Sequence, residues 1–129
     1  MPAQFTVTAE PARDLIRIRM SGFFTPDDIQ AFYAARAVEH AKLTCGPNRH
    51  LTLNDVSGMK VQAQDVVASF QALLADPAYR SRRLAFVVSR TLARSQLMRA
   101  LDTRSARCFE DAATAEKWLL TPDADAEAA

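Results

Sequence analysis

The chain has 129 residues, 49% of them apolar and 24% charged, a composition that can bury one core without metals or disulfides. The formal net charge of +1 argues against general electrostatic attraction to nucleic acid or anionic lipid. With two cysteines, no disulfide framework is expected. Because no stretch resembles a secretory signal or membrane span, we expect a cytoplasmic protein with one domain over residues 1–121 and a flexible acidic tail over 122–129.

The first two elements are predicted to be strands joined as an antiparallel hairpin. Apolar and polar residues alternate over residues 5–8 and 15–20, which is the period of a half-buried strand. Residues 10–14 between them supply a turn.

A helix is predicted to begin at Thr25 and to run to about residue 42. Thr25 can cap it, and Pro26 fits its first position. The residues predicted to face inward are Ile29, Phe32, Tyr33 and Ala37.

The second half of the chain alternates strand and helix. Strands are predicted at residues 51–53, 84–88 and 106–109, and the continuous apolar run at 84–88 favours the centre of a parallel sheet. Asp111 can cap the last helix. The apolar residues that mark helices are Val66, Val67, Phe70, Leu73 and Leu74, then Leu97, Met98 and Leu101, then Ala115, Trp118 and Leu119.

This order predicts an α/β protein with a single mixed, mostly parallel five-stranded sheet and about four helices. The segments Arg-Asp-Leu-Ile at 13–16, Ser-Gly-Phe-Phe-Thr-Pro-Asp-Asp at 21–28 and His-Leu-Thr-Leu-Asn-Asp-Val-Ser-Gly at 50–58 carry a resemblance. The chain resembles bacterial SpoIIAA-like proteins of the STAS and CRAL-TRIO type over roughly residues 5–120. The resemblance implies a STAS-like fold.

The resemblance also bears on regulation and ligands. In anti-sigma-factor antagonists of the STAS family, a serine at a helix start is phosphorylated. Here Ala63-Gln64-Asp65 falls at that place, with an amide in the serine position. The resemblance therefore implies a module that lacks the phosphorylation switch. The resemblance to CRAL-TRIO domains implies that the chain can bind a small apolar ligand.

Ligands of open α/β sheets lie beyond the carboxyl ends of the parallel strands, so candidate binding residues are sought there. They follow the second, third and fourth strands: Ser21, Phe23 and Phe24, then Asn54, Asp55 and Ser57, then Ser89, Arg90 and Thr91.

Each candidate has a structural alternative. Ser89 or Thr91 can be a helix cap instead of part of an anion site, and Asp55 can bond its own turn. One of the two phenylalanines is expected in the core. Cys45, His40 and His50 fall short of zinc-site spacing, so neither a metal nor a cofactor is expected.

Arginines are concentrated between Arg80 and Arg107, where Asp102 is the only acidic residue. This segment favours a solvated, salt-bridged face over a nucleic-acid site, because exposed aromatic residues are not interleaved with the arginines.

We therefore expect a non-enzymatic binding module for a protein partner or a small apolar ligand. An uncharacterised enzyme or anion-binding protein that uses Asp55, Ser57 and Arg90 is the alternative. A homodimer that covers an exposed edge of the hairpin is a further possibility.

Overall fold

A computed structural model describes residues 2–46, 48–59, 62–75, 80–88 and 106–121. The elements are β1 (Gln4–Glu10), β2 (Leu15–Gly22), α1 (Pro26–His40), β3 (Leu51–Met59), α2 (Gln64–Ala75), β4 (Arg83–Val87), β5 (Ala106–Phe109) and α3 (Ala112–Leu120). A 3₁₀ turn at Pro11–Arg13 separates β1 from β2, and Asp14 ends it in the left-handed region. The helix predicted around residues 97–101 and the tail at 122–129 lie outside the described residues.

The five strands form one mixed sheet in the order β1-β2-β3-β4-β5. β1 pairs antiparallel with β2, and all other neighbours are parallel. The predicted hairpin and sheet class are thus confirmed. The predicted centre was wrong, because β3 is the middle strand and β4 lies between β3 and β5. A strand with two neighbours and both faces covered reads as continuously apolar wherever it lies in the sheet.

Local side-chain bonds explain where the helices begin. The Asp28 backbone N–H donates to Thr25 Oγ1 over 3.2 Å, and the Thr25 N–H donates back to Asp28 Oδ2 over 2.8 Å, which completes a capping box. Asp111 Oδ1 accepts from the Thr114 N–H over 2.8 Å at the start of α3. Both predicted caps are confirmed.

Helices cover both faces of the sheet. On one face, apolar residues of β2 pack against Phe24, α1 and α2, in a cluster of Ile16, Ile18, Met20, Phe24, Ile29, Phe32 and Val66. On the other face, α3 covers a cluster of Leu15, Leu51, Leu53, Ala85, Val87, Ala115 and Leu119. This arrangement leaves the two ends of the parallel strands as the places where loops gather.

The inward stripe of α1 differs from the prediction. Ile29 and Phe32 are buried, but Tyr33 and Ala37 are only half-buried, and Arg36 is the third buried residue of the helix. The Arg36 guanidinium lies 5.4 Å from the centre of the Tyr33 ring. Stacking on an aromatic ring allows the arginine stem to lie in the helix interface, which apolar spacing alone does not reveal.

Candidate functional site

The corner between β2 and α1 is held rigidly. Gly22 has a φ of +85°, and a Cβ there would lie 2.2 Å from the Pro2 carbonyl oxygen, so this crossing of two backbones requires glycine. Beyond it, Phe24 is fully buried, while Phe23 is 43% exposed. The expectation that one of the two phenylalanines belongs to the core is confirmed, and Phe23 is the one left at the surface.

Gln62, just before α2, fixes the same corner from the other side. Its side-chain Nε2 donates to the Gly22 carbonyl over 3.0 Å, and its Oε1 accepts from the Phe24 N–H over 2.8 Å. One buried amide therefore satisfies the two backbone groups that flank Phe23. Gln62 was not among the residues predicted for the site, since the only signal in the sequence is its position shortly before the start of α2.

The end of β3 carries Asp55 and Ser57. Asp55 Oδ1 accepts from the Ser57 N–H over 3.0 Å and from the Ser57 hydroxyl over 2.6 Å. These bonds lie where the pairing with β2 shifts register between Arg19 and Ser21. The Asp55 carboxylate thus shapes an irregularity at the strand end, which is the structural alternative weighed for this residue.

Ser21 and Gly58 bring the two strand ends into close contact. They are partners in the parallel pairing of β2 with β3, and a Cβ on Gly58 would lie 2.9 Å from Ser21 Cβ. The exposed residues Ser57 and Gly58 are consequently next to Ser21 at this edge. We call the surface formed by Ser21, Phe23, Ser57 and Gly58 the rim.

Asn54 does not belong to the rim. Its strand partners are Ile18 and Phe86, whose side chains lie on the sheet face opposite α3, whereas Asp55 pairs with Val87 on the α3 side. Asn54 is only 9% exposed, and its Oδ1 has no hydrogen-bond partner among the described residues. Ser89, Arg90 and Thr91 lie outside the described residues.

Histidine and cysteine side chains serve local packing. The His40 and His50 rings meet edge to face with centroids 4.7 Å apart, and His50 Nε2 lies 3.2 Å from the Ser81 hydroxyl. Cys45 lies between α1 and β3, and burial, followed by the nearby Asp14 carboxylate, raises the pKa of its thiol. The described parts of the chain contain no cluster of three metal-ligating side chains.

The arginines between Arg80 and Arg107 lie in different environments. Arg83 is buried, and Arg107 is exposed and lies over the Phe109 and Trp118 rings at 5.9 and 5.6 Å. Arg80 and Arg82 are exposed. The remaining arginines of the segment, Arg90, Arg94, Arg99 and Arg104, lie outside the described residues.

Within the described residues, no helix has the length and apolar character needed to cross a membrane.

Comparison with known proteins gives a match of fold. No protein-family model matches the chain, and no curated protein does. Among solved structures, the chain is similar to an uncharacterised protein of the DUF3478 family from Shewanella loihica PV-4, which has a SpoIIAA-like fold. The two share 16% sequence identity with a TM-score of 0.68, over 91% of this chain and 94% of the other. This chain therefore has a SpoIIAA-like fold.

Proposed function

We propose that the chain is a non-enzymatic STAS-like module that recognises a protein partner through the rim, with Phe23 as the central contact. The observation that carries the proposal is the exposure of Phe23 beside the buried Phe24. Aromatic residues are enriched at protein interfaces because they bury a large area at a small entropic cost.

The rigid support of Phe23 strengthens this proposal. Gly22 and Gln62 hold the backbone on both sides of it, so little conformational freedom is lost when a partner covers the ring. Val38 is more exposed, at 62%, but it lies in the last turn of α1, away from the paired strand ends of the rim. The rim therefore combines an apolar anchor with the exposed polar edge of Ser57.

Two further features favour binding over catalysis or a phosphorylation switch. The hydrogen bonds between Asp55 and Ser57 join residues two positions apart in β3, so the shaping of the strand end explains them without a catalytic role. The chain also has an amide at Gln64, the first residue of α2, where the STAS resemblance implies a phosphorylatable serine. Recognition by this module would then be independent of phosphorylation at that helix start.

Photocrosslinking tests the proposal directly. A photoreactive phenylalanine analogue is placed at position 23 and, as the matched control, at position 38 on α1. We expect one discrete crosslinked protein from position 23 and none from position 38, and the purified pair should lose affinity at least about tenfold on Phe23→Ala. Equal crosslinking from both positions, or unchanged affinity of Phe23→Ala, would contradict the proposal. A crosslinked small apolar molecule would instead support the ligand alternative.

A further inference from the structure

The opposite edge of the sheet, at the amino ends of the parallel strands, carries a group of exposed positive charges. Arg49 lies just before β3, and Arg80 and Arg82 lie just before β4. All three are exposed, and none forms an ion pair with a carboxylate in the parts of the chain that the structure describes. We call these three residues the arginine edge.

Hydrogen bonds between the two loops fix the relative positions of these arginines. Asn48 Nδ2 donates to the Arg80 carbonyl over 2.9 Å, and the Arg82 N–H donates to the His50 carbonyl over 2.7 Å. The residues that follow, Leu51 and Arg83, are partners in the parallel pairing. The three arginines are thus attached to two adjacent strand ends, and neighbouring strands lie about 5 Å apart.

Arg13, Arg17 and Arg83, by contrast, have a structural use. Arg13 and Arg17 form ion pairs with Glu10 and Glu116, which link the hairpin to α3. Arg83 is buried and bonds to the carboxyl end of that helix. Placing several like charges together without partners opposes folding through mutual repulsion, so the arginine edge needs another explanation.

We propose that the arginine edge binds a small, multiply charged phosphate compound. Guanidinium groups match phosphate oxygens in two-pronged hydrogen bonds, and three of them on adjacent loops can neutralise several phosphate charges at once. The carbonyl end of α1 lies at this same edge, because His40 contacts His50. That helix end disfavours anions, so the attraction comes from the arginine side chains alone.

The small extent of the arginine edge favours a compact ligand over a nucleic acid. A duplex-binding surface contacts about 6–10 phosphates, whereas only three arginines from two neighbouring loops meet here. Among the described residues of this edge, none is an exposed aromatic on which a base could stack. This site lies at the other end of the strands from the rim. Whether it binds phosphate is therefore independent of the proposed recognition of a protein partner.

Calorimetric titration of the full chain with inorganic tripolyphosphate at low salt tests the inference. We expect one site, weakened about tenfold by Arg49→Gln and by Arg82→Gln. Arg19→Gln removes an exposed arginine from β2 with the same change of net charge, and it should change the affinity less than about twofold.

Three results would overturn the inference. They are no heat of binding up to about 10 mM tripolyphosphate, an equal loss of affinity in Arg19→Gln, or a single-stranded decadeoxynucleotide that binds more than about tenfold tighter than tripolyphosphate. The last result would assign the edge to nucleic acid. Amide chemical shifts of Asn48 and Ser81 that move at about tenfold lower tripolyphosphate concentration in the unaltered chain than in Arg82→Gln would support the site.

Discussion

Arg83 of β4 and Trp118 of α3 are joined by two kinds of contact: Arg83 Nη1 donates to the Trp118 carbonyl over 2.6 Å, and its guanidinium lies 5.1 Å from the centre of the indole ring. The same Nη1 donates to the Thr121 carbonyl over 2.9 Å. A positive group thus satisfies the carbonyls at the end of a helix, where the dipole favours it. Arg83 holds α3 on the sheet.

Arg83→Gln should therefore lower the free energy of unfolding by about 3 kcal/mol, because it removes a buried positive group and takes this partner from the Trp118 and Thr121 carbonyls. Arg82→Gln is the matched control, since Arg82 is the exposed neighbour. It should change stability by less than about 0.5 kcal/mol. Urea denaturation followed by Trp118 fluorescence measures both. Equal effects of the two substitutions would argue against this role for Arg83.

Gly22→Ala tests the backbone crossing beneath Phe23. A methyl group at Gly22 meets the Pro2 carbonyl at 2.2 Å, and the positive φ adds strain. We expect a loss of about 2 kcal/mol or more, measured by thermal denaturation. Gly46→Ala, whose added methyl group would meet the flexible Arg49 side chain at 3.4 Å, should have an effect below about 1 kcal/mol. If the two variants melt at the same temperature, the crossing does not require glycine.

Asn54 and Thr52 offer a pair of opposite predictions on one face of β3. Asn54→Leu removes a buried oxygen without a described partner and should raise the free energy of unfolding by about 1 kcal/mol. The Thr52 hydroxyl lies 2.6 Å from the Ser81 hydroxyl. Thr52→Val should therefore lower the free energy of unfolding by about 1 kcal/mol. Chemical denaturation distinguishes them. Destabilisation by Asn54→Leu would show that Oδ1 is bonded to a water or ligand.

His40 makes stability depend on pH. Burial, with a smaller contribution from the positive charge of Arg36, lowers the pKa of His40 from its ordinary value of 6.5. Between the folded and unfolded pKa values, the unfolded chain binds more protons, so stability falls as pH decreases through about 6.5. We expect weaker stability at about pH 5.5 than at about pH 7.5, and a smaller difference in His40→Gln. An unchanged pH dependence in that variant would assign the effect elsewhere.

Much of the fold could be predicted because its signals are local. Thr25, Asp111 and the alternation in β1 and β2 act within a few residues, and the structure confirms each of them. The burial of Arg83 could not be predicted, since it depends on helix carbonyls that the tertiary structure supplies. Arg36 contacts the Tyr33 ring three residues earlier in α1, and apolar spacing does not predict the burial of an arginine. Composition assigns arginine to the surface unless such partners are known.

The candidate site was predicted less completely, for a related reason. The rule for the carboxyl ends of parallel strands brought Ser21, Phe23 and Ser57 to one edge. It could not predict which of Asn54 and Asp55 points into the core, because neighbouring residues of a strand point to opposite faces. The answer depends on the register, in which Asn54 pairs with Ile18 and Phe86. Nor could the rule identify Gln62, because its two hydrogen bonds are to residues 38 and 40 positions away in the sequence.

Native mass spectrometry of the protein isolated from its own host, in the unaltered form and as Phe23→Ala, tests recognition through the rim most directly. We expect a complex with a second protein for the unaltered chain and only the bare chain for Phe23→Ala, since loss of a central aromatic contact costs an interface about 2 kcal/mol or more. Identical spectra for the two forms, or a small apolar molecule retained by both, would contradict recognition of a protein through the rim.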